Sequence, residues 1–80
     1  MQFIIYVLND NDGKLYKGLT NNLAGRLAEH RRGKTITTRR MENIEIVYTE
    51  KYSNFGEARK RELYLKSAAG RKFLKKQLEK

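Results

Sequence analysis

The chain has 80 residues, of which 18 are Lys or Arg and 9 are Asp or Glu, so its formal net charge is +9. A chain of this length folds around one modest core, and we expect a single domain over residues 1–80. The absence of Cys and the single His exclude a disulfide scaffold and finger-type zinc sites. No apolar run approaches the ~18 residues that a membrane span needs, and the apolar N-terminal run has no basic leader. We therefore expect a soluble, cytoplasmic protein with no membrane partner.

The positive charge is concentrated in two segments. Residues 26–40 carry +5 and residues 59–80 carry +7, whereas residues 1–25 are balanced and residues 41–58 carry −3. One basic segment is often only a solvated face. Two of them favour a polyanionic partner, and nucleic acid is favoured over a membrane surface because no basic amphipathic helix dominates the chain.

The first twenty residues predict an antiparallel hairpin. The apolar run Phe3 to Leu8 indicates a strand that ends at the turn sequence of residues 9–13, and Leu15 to Leu19 indicates a second strand. An odd number of residues in the connection would bring Tyr6 and Tyr16 to one face of the sheet, and an even number would separate them. The sequence leaves this register open.

A first helix is predicted from Leu23 to His30, after cap residues at 20–22. The residues predicted to form its apolar stripe are Leu23, Ala24, Leu27 and Ala28. Arg26 and His30 lie one turn apart beside that stripe. Gly33 is a suitable residue to follow the helix C-terminus, and residues 34–43 are predicted to form a polar, basic loop.

The second half of the chain predicts one strand and two helices. The strand is expected over Ile44 to Tyr52, which is rich in β-branched and aromatic residues. Asn54 and Glu57 form a capping-box pattern that opens a helix to about residue 66, and Ser67 caps a last helix over about residues 68–78. Phe73, Leu74 and Leu78 are predicted to face inward on that helix, and Arg71, Lys72, Lys75 and Lys76 outward. The predicted fold is α+β, with a small three-stranded antiparallel sheet flanked by helices in the order ββαβαα.

Glu62 is an unexpected residue in this pattern. The spacing places Phe55, Ala58 and Leu65 on one face of the second helix, and Glu62 lies among them. An unpartnered carboxylate costs several kcal/mol when it is buried, so the position requires a cation, a hydrogen-bond network or a metal. An ion pair with Arg59, with Lys66 or with an Arg from elsewhere in the chain, or a helix rotated so that Glu62 reaches solvent, would satisfy the same pattern.

Three other residue types invite a chemical interpretation and also have a structural one. A lone helical His such as His30 is often a surface or cap residue, and strand tyrosines such as Tyr6 and Tyr16 often only pack against a sheet. An Arg and a His on one helical face could instead hold a phosphate.

The order Tyr6, Tyr16-x-Gly18, Arg26-x-x-x-His30 and Glu62 resembles the GIY-YIG nuclease family over about residues 3–74. The chain is most similar to small stand-alone members related to the nuclease domain of the bacterial excision-repair incision subunit. The sequence departs from both naming motifs, since Ile4-Ile5-Tyr6 replaces Gly-Ile-Tyr and Tyr16-Lys17-Gly18 replaces Tyr-Ile-Gly, but it keeps both tyrosines. Some members also use an Asn in the C-terminal part, and no Asn follows Asn54 here.

The resemblance implies a metal-dependent endonuclease that hydrolyses phosphodiester bonds in nucleic acid, DNA more than RNA, with low sequence specificity and a role in DNA repair. The alternative is a nucleic-acid-binding module that keeps the fold but cleaves weakly or not at all. A partner protein or a homodimer is compatible with either function.

The resemblance also implies roles for five residues. Glu62 would hold a single Mg²⁺ or Mn²⁺, and Arg26 would stabilise the pentacovalent phosphorus. Tyr6, with its pKa lowered by neighbouring cations, would orient or deprotonate the attacking water, and Tyr16 would hydrogen-bond the phosphate or the water. His30 would accept from a tyrosine hydroxyl or relay its proton. The residues expected to contact flanking phosphates are Lys17, Arg31, Arg32, Lys34, Arg39, Arg40 and Arg71.

Overall fold

A computed structural model describes residues 2–33 and 43–78 of the chain. Its elements are β1 (Phe3–Asn9), β2 (Leu15–Thr20), α1 (Leu23–Arg31), β3 (Glu45–Tyr52), α2 (Phe55–Lys66) and α3 (Ala68–Leu78). The predicted α+β fold and the order ββαβαα are confirmed. Within the described ranges, no helix has the length and apolar character needed to cross a membrane.

The three strands form one antiparallel sheet in the order β2-β1-β3. The connection between β1 and β2 spans residues 10–14, an odd number, and it is tightened by the Asp10 carboxylate, which accepts from the backbone N–H groups of Asp12 and Lys14 at 2.9 and 2.8 Å. Tyr6 therefore pairs with Gly18, and Tyr16 pairs with Leu8 on the same face of the sheet. The sequence left this register open, and the observed register is the one that places both tyrosines on the same face.

Helices cover both faces of the sheet, so the domain has two small cores. On one face Tyr6 and Leu8 pack with Leu23 and Leu27 of α1. On the other face Ile5 and Val7 pack with the buried residues of α2 and α3, Leu65 and Leu74. Because successive side chains of β1 point to opposite faces, this central strand is buried on both sides and supplies both cores.

The helix α1 contacts the sheet through a different face from the predicted one. Ala24 and Ala28 are exposed, so their assignment to the buried stripe was wrong. The sheet-facing residues are Leu23, Leu27 and His30, of which His30 is the fully buried one. This rotation follows from packing, since the larger side chains bury more apolar area than the alanine methyl groups would. The cap predictions are confirmed, because Asn22 accepts from the N–H of Gly25 and Gly33 has a positive φ of 72°.

The buried face of α2 matches the predicted face except at its first residue. Ala58, Glu62 and Leu65 are buried as predicted, and Asn54 caps the helix by accepting from the N–H of Glu57. Phe55 is 55% exposed, so its assignment to the buried stripe was wrong. The buried arc of α2 is centred on the other three residues, which leaves Phe55 on the flank of the helix, with its ring against Phe3.

The turn between α2 and α3 requires a glycine. A Cβ on Gly70 would overlap the backbone of Tyr64 and Leu65 and would lie 2.7 Å from the Tyr64 carbonyl carbon. Gly70 therefore lets the first turn of α3 lie directly against the last turn of α2.

A partly buried ion pair ties β3 to α2. Arg61 donates to both carboxylate oxygens of Glu50, with nitrogen–oxygen distances of 3.0 and 3.1 Å, and Tyr48 and Tyr52 donate their hydroxyls to the same carboxylate. The guanidinium carbon of Arg61 also lies 4.8 Å from the ring centre of Phe73 on α3. This network joins the strand and both C-terminal helices on one face of the sheet.

Candidate active site

The two tyrosines and the histidine form a contact cluster between β1, β2 and α1. The Tyr6 hydroxyl lies 2.9 Å from Nε2 of His30. The ring centroid of Tyr16 lies 4.9 Å from that of His30 and 6.2 Å from that of Tyr6. Tyr6 is 1% exposed and His30 is 1% exposed, so the hydrogen bond between them is buried.

Gly18 makes the position of Tyr6 possible. The ring of Tyr6 lies across β2 directly over Gly18, its partner in the strand register. A Cβ at this position would overlap the phenol carbon and hydroxyl of Tyr6 and would lie 2.8 Å from its Cε1. The small residue two positions after Tyr16 is thus explained by the ring that it accommodates, since neighbouring strands leave no other room.

Burial raises the pKa of Tyr6 above its ordinary value of 10.0, and the nearby Tyr16 phenol adds to this effect. Hydrogen bonding to the Arg26 guanidinium and its charge lower the pKa, but by less. Arg26 acts on the pKa of Tyr6 in the predicted direction, but the predicted net lowering was wrong, because the pKa is raised overall. Desolvation of the phenolate outweighs the cation, because the ring is enclosed by the sheet and α1.

The imidazole of His30 is a proton acceptor at neutral pH. Burial, followed by the positive charge of Arg26, lowers its pKa below 6.5, and the Glu29 carboxylate opposes this shift. A neutral imidazole that carries its proton on Nδ1 accepts the Tyr6 hydroxyl proton at Nε2. In that tautomer the phenol is the donor and the imidazole the acceptor of the buried hydrogen bond.

Arg26 completes the cluster from the side of α1. Its Nη1 lies 2.9 Å from a carboxylate oxygen of Glu29, and the side chain is 37% exposed. Hydrogen bonding to Tyr6 raises the pKa of Arg26, and Glu29 and Tyr16 act in the same direction. A partly exposed, charged guanidinium thus contacts both tyrosines of the cluster.

Glu62 lies on α2 and is 5% exposed. Its carboxylate pairs with Arg59, one turn earlier, and with Lys66, one turn later, whose Nζ lies 3.4 Å away. The ion pairs with Arg59 and with Lys66, which the sequence offered as an alternative to a metal, are therefore both present. Over residues 2–33 and 43–78, no hydrogen bond or ion pair joins Glu62 to Tyr6, Tyr16, Arg26 or His30.

The chemistry of Glu62 fits a sparsely liganded divalent ion. The part of the chain that the structure describes contains no group of three or more His, Asp or Glu side chains that could enclose a metal. Mg²⁺ commonly binds through one or two carboxylates and otherwise keeps water or substrate phosphate oxygens. The Glu62 carboxylate could serve as the one protein ligand of such an ion, provided that Arg59 and Lys66 give up their ion pairs with it.

Three cations, Lys17, Lys66 and Arg71, lie on the same side of the sheet as Glu62. Lys17 lies on β2 between Leu15 and Leu19, whose side chains pack into the core beneath α2 and α3. Burial lowers the pKa of Lys17, and the charges of Arg71 and Lys66 lower it further. Like charges held this close favour binding of an anion.

Comparison with known proteins identifies the domain. The family model described as the GIY-YIG catalytic domain matches residues 2–77. The chain belongs to the GIY-YIG family. The predicted family membership is confirmed.

The GIY-YIG domain is also similar to several UPF0213 proteins. It is 35% identical to one from Staphylococcus epidermidis over 72 residues, which cover 89% of this chain and 88% of the relative. It is 39% identical to one from Oceanobacillus iheyensis over 66 residues, which cover 81% of this chain and 77% of the relative. The solution NMR structure of the UPF0213 protein BH0048 from Bacillus halodurans superimposes with a TM-score of 0.61 at 28% identity, over 96% of this chain and 85% of that one.

The remaining predicted nucleic-acid contacts of the GIY-YIG domain lie around the C-terminus of α1 and at the start of α3. Arg31, Arg32 and Arg71 are exposed. Arg31 donates to the backbone oxygen of Ile44 at 3.5 Å, and Arg32 donates to that of Ala28 at 3.4 Å. The other three predicted contacts, Lys34, Arg39 and Arg40, lie outside the described residues.

Arg59 and Lys66 of the GIY-YIG domain were not predicted to contact nucleic acid, but both lie at the candidate site. They were predicted only as possible ion-pair partners, and both lie beside Glu62 with roughly half of each side chain exposed. The sequence signal for this arrangement is their spacing, since residues three before and four after Glu62 lie next to it on the helix surface.

Proposed function

We propose that this GIY-YIG domain is a metal-dependent endonuclease that hydrolyses phosphodiester bonds in nucleic acid, with DNA as the expected substrate and low sequence specificity. The observation that carries the proposal is the buried hydrogen bond between the Tyr6 hydroxyl and a histidine whose pKa is lowered, with Arg26 beside it. Membership of a nuclease domain family supports the same function.

The proposed proton path runs from water through Tyr6 to His30. The Tyr6 hydroxyl passes its proton to Nε2 of His30 while its oxygen takes a proton from the attacking water. Because the pKa of Tyr6 is raised, a free phenolate is unfavourable, and the two transfers occur together. The resulting hydroxide forms the new phosphorus–oxygen bond as the bond to the 3′ oxygen breaks.

Arg26 and Tyr16 act on the phosphate in this proposal. The guanidinium stays charged and is partly exposed, so it can contact the phosphoryl oxygens as negative charge accumulates on them. Tyr16 contacts the His30 ring and offers its hydroxyl to the phosphate or to the water. Transition-state charge strengthens both contacts relative to the ground state.

Glu62 is the residue that would hold the divalent ion, Mg²⁺ or Mn²⁺. Such an ion, when bound, supplies positive charge at a non-bridging phosphate oxygen and at the leaving 3′ oxygen. Arg59 and Lys66 would release the carboxylate oxygens and remain available for the flanking phosphates.

The substrate strand would be held mainly through its backbone. Lys17, Lys66 and Arg71 form the cation group described above, and Arg31 and Arg32 extend the positive surface at α1. Contacts of this kind carry no base information, which is why low sequence specificity is proposed. A partner protein, a homodimer, a cytoplasmic location and a role in DNA repair are compatible with this function.

The test is a cleavage assay on single-stranded, branched and duplex DNA and RNA in Mg²⁺, Mn²⁺ or EDTA. We expect metal-dependent cleavage that falls by at least about 10²-fold in Glu62→Gln, as is usual when one charge-stabilising group is removed. Glu57→Gln is the matched control, since Glu57 is an exposed glutamate on the same helix. Binding without cleavage in any of the proteins would refute the enzyme and support the alternative of a binding module.

A further inference from the structure

Phe55 is the exposed aromatic residue at the start of α2, and neither the core nor the proposed proton path uses it. It is 55% exposed, and its ring meets the ring of Phe3 at a centroid distance of 5.5 Å and an angle of 70°. In a T-shaped pair of this kind, at least one face of the Phe55 ring is not covered by Phe3. The open face of the Phe55 ring is therefore available for stacking with a flat aromatic group.

The spacing along α2 places Phe55 in line with the charged residues that surround Glu62. Arg59, Glu62 and Lys66 follow Phe55 at four, seven and eleven residues, so all four share one flank of the helix. The ion pairs from Arg59 and Lys66 to Glu62 confirm that the three charged side chains lie side by side. Phe55 lies about 10 Å from Glu62 along the helix axis, at about 1.5 Å of rise per residue.

We propose that Phe55 is a stacking platform for an unpaired base of the nucleic acid whose backbone lies along this flank of α2. This inference rests on the proposed function and adds a substrate class to it. The bases of an intact duplex are stacked inside the helix, so a surface ring can stack only on a base in a single strand, a flap or a branch. Arg59 and Lys66, each roughly half exposed, then contact the phosphates on either side of Glu62.

The charge around Phe55 favours a nucleic-acid base over an apolar protein surface. Phe55 shares its flank with two cations, whereas the comparably exposed Leu63 lies on the outward side of α2. Aromatic rings interleaved with cations are the usual arrangement for binding single strands without sequence preference. An aliphatic side chain such as that of Leu63 supplies no comparable stacking face.

The experiment measures binding of the full chain to a labelled oligothymidylate and to a hairpin duplex of matched length, in EDTA so that cleavage cannot interfere. We expect Phe55→Leu, which keeps an apolar contact with Phe3, to weaken single-strand binding by roughly 5- to 100-fold. Duplex binding is expected to stay within about twofold because the cations are unchanged. Leu63→Ala is the control and is expected to leave both affinities unchanged.

A second variant gives a readout that does not depend on affinity. The chain has no Trp, so Phe55→Trp introduces a unique indole whose fluorescence is expected to be quenched when the oligothymidylate stacks on it. Unchanged single-strand affinity in Phe55→Leu, together with unquenched Phe55→Trp in the presence of bound oligothymidylate, would overturn the stacking platform alone. If the wild-type chain binds neither form of nucleic acid, the proposed function fails and this inference fails with it.

Discussion

At the scale of single residues, the pair formed by Tyr6 and His30 shows how burial assigns chemical roles. Both side chains are fully buried, and burial disfavours the charged form of each. It therefore raises the pKa of the phenol and lowers that of the imidazole, which leaves a neutral donor beside a neutral acceptor. Arg26 acts on both groups and provides the means to test this balance.

His30 is the only histidine, so its titration can be followed by proton NMR without assignment ambiguity. We expect its pKa to lie below 6.5 in the wild type and to rise in Arg26→Gln, since the guanidinium charge lowers it. Because the pKa is lower in the folded chain than in the unfolded chain, the stabilising contribution of neutral His30 is complete above about pH 6.5 and is lost as the pH falls toward the folded value.

The control for this titration is Lys72→Gln, which removes an exposed cation from α3. It is expected to leave the His30 pKa unchanged. An equal pKa in the wild type and in Arg26→Gln would contradict the electrostatic role of Arg26.

At the scale of elements, the attachment of β3 to α2 depends on one carboxylate. Burial alone would raise the pKa of Glu50, but the hydrogen bonds from Arg61, Tyr48 and Tyr52 outweigh it, and the pKa is lowered. Glu50 lies on β3 and Arg61 on α2, eleven residues apart in the sequence. The pair therefore fixes how α2 lies on the sheet.

Replacing Glu50 by Gln should destabilise the domain. We expect the free energy of unfolding at pH 7 to fall by about 1–3 kcal/mol, because Arg61 and two hydroxyls lose a charged acceptor. The folded pKa of Glu50 is lower than the unfolded value of about 4.3, so its contribution is present above that pH and is lost as the pH falls through the folded pKa.

Urea unfolding at pH 7 and at about pH 3 measures both effects, and the difference between wild type and Glu50→Gln is expected to shrink at the lower pH. Glu45→Gln on the same strand is the control, because Glu45 is exposed. A difference of the same size at both pH values would contradict the role assigned to the ionised carboxylate.

At the scale of the whole molecule, the charge of +9 determines how nucleic acid would be bound. Lys17, Lys66 and Arg71 come from three elements, and the pKa of Lys17 is lowered first by burial and then by the positive charges of Arg71 and Lys66. A phosphate placed among them relieves the repulsion between these charges, so the group is held ready for an anion.

Binding of nucleic acid is therefore expected to weaken steeply with salt. We expect Lys17→Gln to reduce the slope of log K against log salt concentration by about 1, as for the loss of one phosphate contact. Fluorescence anisotropy with an oligonucleotide in EDTA, over a range of NaCl concentrations, measures this slope.

Lys14→Gln is the matched control for the salt titration, because Lys14 is an exposed lysine in the hairpin connection that precedes β2. It is expected to keep the wild-type slope. If both variants behave alike, Lys17 has no phosphate contact of its own.

Much of the fold could be predicted because its signals are local. Asn22 and Asn54 mark their helix starts through short-range hydrogen bonds, and both helices begin as predicted. The burial of Glu62 followed from helical spacing alone. Ala24 and Phe55 were assigned wrongly, since spacing defines a face but not the rotation at which the helix contacts the sheet.

The candidate site was less predictable than the fold. The sequence placed Arg26 and His30 one turn apart, which needs only helix geometry. The contact of Tyr6 with Tyr16 needed the parity of the hairpin connection, and the direction of the Tyr6 pKa shift needed the degree of burial. The parity depends on where each strand ends, which the turn sequence left open, and the burial of Tyr6 depends on the distant helix α1.

The sequence by itself determined the order of the elements, their caps, the concentration of positive charge and the order of the residues that resemble the family motif. These depend on backbone hydrogen bonds and helical spacing over short stretches of chain. Only the tertiary structure decided that the phenol of Tyr6 meets His30, that it stays protonated despite Arg26, and that Phe55 remains exposed on the flank of α2. Desolvation and pairing energies depend on neighbours that distant segments bring together, so these features exist only once the sheet and both helical layers have assembled.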